Sequence, residues 1–203
     1  YVNSLSVGVL YNMNGSLRDA LSSLACDYHH QPLTFEYAVG PTWFNNFNVS
    51  KNASMGFTAN ANIGWWLNSA IGLRGGIQVS NADWTNDPLE ECRYQVGLYA
   101  GTLDLMLNPF GIMKNYDWNS TAGINLFAGA GTGGIKFVTN RTKAVENSIN
   151  QWRFGTQIWL KLTNNLRFNI EPTYTLIRGF EKLQSVEKTN ELSLKFGLSL
   201  LLG

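Results

Sequence analysis

The chain has 203 residues, a length of one domain, and carries 15 Lys and Arg against 14 Asp and Glu for a net charge of +1. That balance excludes a strong global field for nucleic acid, so no nucleic-acid partner is expected. Charged residues make up 14% of the chain, against about 25% in a soluble domain, yet no apolar run approaches the roughly 18 residues of a spanning helix.

The chain begins at Tyr1 without a basic n-region or an apolar h-region, which reads as a processed or truncated product. Residues 1–32 form a distinct N-terminal segment. Leu5, Val7 and Val9 alternate, and Ser16 is placed to cap a short helix reaching Tyr28. From there on, period two takes over. Residues 34–44 set Phe35, Tyr37, Val39 and Trp43 against Thr34, Glu36 and Thr42. Residues 53–67 set Met55, Phe57, Ile63, Trp65 and Leu67 against Thr58, Asn60, Asn62 and Trp66. Asn68-Ser69-Ala70 then joins residues 71–80, pairing Leu67 with Ile71 and preserving parity.

Residues 93–107 place Tyr99, Leu103, Leu105 and Leu107 opposite Val96, Leu98, Thr102 and Asp104. Residues 119–130 put Ala122, Ile124, Leu126, Ala128 and Ala130 on one face. Trp152 to Leu162 alternates with Arg153, Gln157 and Lys161. After Thr163-Asn164-Asn165, Leu166 to Leu176 alternates with Arg167, Glu171 and Thr175. That short connection opposes Leu162 with Leu166 and Gln157 with Glu171. Finally, Leu192, Leu194, Phe196, Leu198, Leu200 and Leu202 share one parity, against Glu191, Ser193 and Lys195.

These are eight strands, several of them 11 to 15 residues long, where ordinary globular strands have about five or six. Tilted by about 40°, a strand of about 12 residues spans roughly 30 Å, enough for an outer-membrane apolar band. An even count permits antiparallel closure, which satisfies edges that lipid would leave unpaired. The expected fold is all-β: a transmembrane eight-stranded antiparallel up-and-down barrel over residues 33–203, preceded by a partly helical segment. Residues 1–32 would then pack below the barrel, plug it or contact a partner.

One face of these strands carries Glu36, Arg74, Asp104, Arg153, Gln157, Lys161, Arg167, Glu171, Glu191 and Lys195. Turned inward, mixed signs pair across a narrow lumen, the apolar rows meet lipid, and the low overall charge is explained. The expectation is a packed structural network rather than a steady pore. Trp43 and Trp152 fall near one rim and Trp65 near the other, as an aromatic girdle would.

The stretches GWWLNSAIGLRGGIQ at 64–78, LYAGTLDLMLNPFG at 98–111, INLFAGAGTG at 124–133 and FGTQIWLKLTNNLRFNIEPTY at 154–174 resemble the OmpA-like eight-stranded outer-membrane barrels, Bacteroidetes type. The resemblance implies an integral outer-membrane location, surrounding lipid and lipopolysaccharide, and periplasmic termini. It places exterior loops near 45–52, 81–92, 131–150 and 178–189, and a long periplasmic connection at 108–118. Members of that family often continue into a domain that holds peptidoglycan, so the resemblance leaves two expectations: a tether through a domain absent from this chain, or a barrel-only protein.

Little in the chain suggests chemistry. His29 and His30 are adjacent, so their side chains diverge rather than converge on a metal, and they lie away from Asp83, Asp87, Glu90 and Glu91. That acidic cluster reads as a solvated loop. Gly129 to Gly134 lacks the Lys-Ser/Thr of a phosphate loop. Cys26 and Cys92 lack metal-ligand spacing and are placed at opposite ends of the barrel. No enzyme activity, metal or cofactor is expected. Two roles remain: a structural barrel supporting envelope integrity, or a non-catalytic accessory subunit of an outer-membrane secretion, protein-insertion or nutrient-uptake complex.

Overall fold

The computed structural model describes residues 33–45, 54–87, 90–112, 120–139, 142–179 and 188–202. The N-terminal segment, with Cys26, His29 and His30, lies outside them. Eight antiparallel strands, β1 (Leu33–Asn45), β2 (Ser54–Trp66), β3 (Ile71–Asp87), β4 (Glu90–Leu107), β5 (Ala122–Thr139), β6 (Thr142–Lys161), β7 (Leu166–Arg178) and β8 (Lys188–Leu202), follow one another around a closed barrel. Pairing of β1 with β8, from Leu33 with Leu202 to Asn45 with Asn190, completes the ring. Every strand therefore has two neighbours over the apolar band, and no edge is left there. Among the described residues no helix is long and apolar enough to cross a membrane; the strands do the crossing.

Period two decides which residues point where. In β1 the odd positions face out and the even ones are buried, and β7 repeats the pattern with the roles of parity reversed. From Leu192 to Leu202, at about 3.3 Å per residue and a tilt of about 40°, the outward row of β8 covers about 25 Å. Phe35, Ile63, Ile77, Leu103, Phe154 and Leu198 continue this exposed apolar band around the barrel.

Local chemistry sets the tight turns at one end. Asn68 Oδ1 accepts from the amides of Ala70 and Ile71 at 2.9 and 2.8 Å, and Leu67 N bonds Ile71 O at 2.9 Å, so the predicted pairing forms. Thr163 Oγ1 accepts from Leu166 N at 3.1 Å, beneath a Leu162–Leu166 backbone bond of 2.9 Å. The third connection starts with a short 3-10 helix at Pro109–Ile112. Asn108 caps it by accepting from Phe110 and Gly111, and Asn108 N bonds Ala70 O at 2.7 Å. Gly111 is needed here, because a Cβ would run into the backbone carbonyl of Ser69.

The other end departs from the sequence reading. The spans 81–92 and 131–150, expected as exterior loops, are largely strand. β3 runs on to Asp87 after its last partner on β2, Ala82 with Gly56. β6 begins at Thr142 but meets β7 only from Asn150. The hairpins β3–β4 and β5–β6 therefore form a four-stranded wall rising above the shorter strands. Register shifts at Thr85/Asp87 and Phe137/Thr139 bend it near the hairpin tips.

The wall exists because the pattern inverts. In the band, apolar side chains face out. Above it, Asn81, Gln95, Lys136, Glu146, Ser148 and Asn150 face out, whereas Ala82, Val96, Ile135 and Ile149 are buried. Water outside and an apolar interior are the soluble arrangement, on the same strands that lower down are dressed for lipid. The side chains of Asp87, Glu90, Glu91 and Cys92 lie outside the described residues.

Candidate functional site: the barrel lumen

Inward-facing positions build the lumen in layers. At the tight-turn end, the Arg167 guanidinium stacks on the Trp159 ring at 3.9 Å, and Asn169 donates to Ser199 across the β7–β8 pair. Trp66, Met106 and Phe127 pack together above.

The middle layer collects charge. Arg74 donates through Nε and Nη2 to Asp104 Oδ2 at 2.9 and 2.8 Å, and through Nη1 to Glu36 at 3.2 Å and Glu171 at 2.6 Å. Lys195 Nζ lies 2.7 Å from Glu171 Oε1. Arg153 stands 3.7 Å from both Asp104 and Glu171. Gln157 donates to Glu36 at 3.1 Å and accepts from Asn125 at 2.9 Å. Three carboxylates thus face three cations, all fully or almost fully buried. Burying any one of these charges alone would cost several kcal/mol. Mutual neutralisation, with hydrogen bonds from Arg74 to all three carboxylates, offsets that cost and ties six of the eight strands into one register, while Arg153 is held by charge alone.

Phe127 organises this layer. Its ring lies 4.2 Å from the Arg74 guanidinium and 5.7 Å from that of Arg153, so the two like charges meet an aromatic face rather than each other. Glycine makes the room: a Cβ at Gly155 would strike the Phe127 ring, and one at Gly129 would strike the Asp104 carboxylate.

Above the charges, Glu191 accepts from Thr42 at 2.8 Å, Ser80 at 2.9 Å and Gln78 at 3.1 Å. Ser80 in turn shares a 2.8 Å hydrogen bond with Thr58. The lumen then turns apolar. Phe44, Ala82, Val96, Leu98, Ala100, Ile135, Ile149 and Ile177 form one buried cluster across the bore. The charge layer and the apolar cap thus follow one another along the axis of a bore about as wide as its own side chains.

The structure brings together nine of the ten residues read from the sequence on the buried inner face: Glu36, Arg74, Asp104, Arg153, Gln157, Arg167, Glu171, Glu191 and Lys195. Lys161 differs. It is half-buried at the tight-turn end, paired in register with Arg167 and away from the central charges. Of the three tryptophans, Trp65 and Trp152 are exposed on the outer face and Trp43 is partly exposed. Trp43 lies near the tall-wall end and Trp65 near the tight turns. Phe127 and the apolar cap were not legible as site residues. For Phe127 a signal existed, an aromatic on the lumen parity two residues from Gly129.

No family model matches the chain, and no curated protein matches it in sequence. Solved structures do. Neisserial surface protein A superposes over 83% of this chain and 96% of its own, with a TM-score of 0.55 at 13% identity. A major outer membrane protein from Thermus thermophilus superposes over 86% and 100%, with a TM-score of 0.58 at 10% identity. The fold is that of an eight-stranded outer-membrane β-barrel. With its apolar outer band, it is suited to integral residence in that membrane.

Proposed function

We propose that this barrel is a non-catalytic structural element of the outer membrane, closed along its axis and supporting envelope integrity. One observation carries the reading. The neutralised charge layer and the apolar cap stand in series across the bore. Such an interior rigidifies the wall and conducts nothing. Trp43, Trp65 and Trp152 anchor the two interfaces in this reading, and the tall wall of β3–β6 faces the cell exterior, as longer connections do in such barrels. Surrounding lipid and lipopolysaccharide are its partners. Placement among OmpA-like barrels of the Bacteroidetes type, and with it a tether to peptidoglycan, is supported by the sequence resemblance.

Recording across planar lipid bilayers tests the closed state. Purified protein should insert without steady conductance steps; persistent ohmic steps at low voltage would overturn the reading. A strain lacking the protein should gain sensitivity to detergents and large antibiotics.

A second reading, an accessory subunit of a larger outer-membrane machine, is favoured by the four-stranded wall, which extends well beyond what spanning requires. Extraction in mild detergent should then recover one stoichiometric partner.

A further inference from the structure

The polar outer face of the tall wall is broken at Gly97 of β4. A Cβ there would meet nothing within 4 Å, and the only described glycine with positive φ is Gly179. Neither packing nor backbone conformation within the chain demands glycine at 97. Four outward side chains surround the gap. Asn81 of β3 and Lys136 of β5 flank Gly97 in register, and Gln95 and Tyr99 precede and follow it on the same face of β4. Strand spacing makes this recess about 13 Å long from Gln95 to Tyr99 and about 10 Å across from Asn81 to Lys136.

Tyr99 is the fixed wall of the recess. Its ring lies along the sheet across Gly134, where a Cβ would collide with the phenol end, and its hydroxyl donates to Glu146 of β6 at 2.5 Å. The hydroxyl is therefore committed to the barrel's own carboxylate rather than to lipid headgroups. Half of the side chain stays exposed, an aromatic surface held in place before any ligand arrives. The surroundings decide what that surface can take. Lys136 stands in register with Glu146, so opposite charges adjoin and no unopposed charge selects an anion or a cation. Asn81 and Gln95 carry amides that both donate and accept, which an acyl chain would leave without partners. A neutral ring with an apolar C–H face and a rim of hydroxyls matches both the aromatic and the amides. That is the chemistry of a pyranose.

We propose that the Gly97 recess is a saccharide-binding site. One sugar ring lies over Gly97 with its C–H face against Tyr99, and its hydroxyls reach Asn81, Gln95 and Lys136. The site is built on the outer face of the wall and uses nothing from the lumen. It holds whether or not the bore is closed and whichever way the barrel is oriented, so it and the structural role proposed above fail separately.

The test is saturation-transfer NMR on the full chain in amine-oxide detergent micelles, which carry neither sugar nor choline. The probes are the methyl glycosides of glucose, galactose and N-acetylglucosamine, with inorganic phosphate and choline as competitors. At least one glycoside should receive saturation on its ring protons, and neither competitor should displace it. Gly97→Val fills the recess with a strand-favouring side chain and should abolish the transfer at the wild-type melting temperature. Gly134→Ala pushes the Tyr99 ring off the sheet, at its flexible end, and leaves every polar neighbour in place. It should weaken binding about fivefold, the worth of one aromatic contact. Repeating the measurement in vesicles with a glycolipid of the same sugar assigns the source: competition points to membrane sugars, and its absence to glycans in solution. The proposal is overturned if wild type saturates none of the glycosides, or if Gly97→Val and Gly134→Ala leave the transfer as it was. Displacement of the sugar by phosphate or by choline would overturn it too.

Discussion

Arg74 on β3 and Glu171 on β7 meet at 2.6 Å in the middle of the barrel, from strands that stand opposite one another in the ring of eight. The pair is a strut across the bore. Strand number and the stagger of the hydrogen-bonded register set the width of the lumen, and contacts of this kind brace it from inside. Asp104 and Glu36 hold the same guanidinium from β4 and β1, so the strut is braced on several sides.

Replacing Glu171 with Leu removes the carboxylate shared by Arg74, Arg153 and Lys195. Three buried cations would then face two acids. Loss of one member of a buried pair costs about 3–5 kcal/mol, and that destabilisation is expected in urea unfolding from lipid vesicles. The heat-resistant, compact form on gels should melt at lower temperature. A change below about 0.5 kcal/mol would mean that the charges are solvated and the lumen is open.

The apolar cap makes a separate demand. Ile149→Ala should cost about 2–4 kcal/mol, because the side chain is fully buried against Phe44, Ile135 and Ile177. The adjacent Asn150→Ala, on the outer face, should stay within about 0.5 kcal/mol. Equal effects at the two positions, measured by the same unfolding titration, would show that the inversion of pattern above the band is not real.

Much of the barrel was legible because, over the band, lipid on one side and a largely polar packed lumen on the other enforce period two. The row from Leu192 to Leu202 and the pairings of Leu67 with Ile71 and Leu162 with Leu166 follow from it. The charged lumen positions were legible for the same reason. The tall wall was not. Above the band the faces exchange roles, so Ile135 and Ile149 break the expected alternation and Gly131 to Gly134 reads as a loop. Phe127 escaped for another reason: its role depends on Arg74 and Arg153, which only the closed barrel brings to its ring.

The outer band sets a depth-dependent cost. Leu198→Arg, in mid-band on β8, should destabilise by about 2–4 kcal/mol in vesicles, whereas Asn190→Arg at the boundary of the same row should cost about 0–1 kcal/mol. Similar costs at both sites would place the hydrocarbon elsewhere on the barrel.

Cysteine scanning along the outer face of β6 tests most directly whether one strand passes from lipid to water where the pattern inverts. In a Cys26→Ser, Cys92→Ser background, single cysteines at Ser148, Phe154 and Ile158 would be exposed to a membrane-impermeant maleimide in vesicles. Ser148→Cys should label rapidly, and Phe154→Cys and Ile158→Cys should remain protected. Rapid labelling at all three positions would contradict a membrane-embedded barrel with this apolar band.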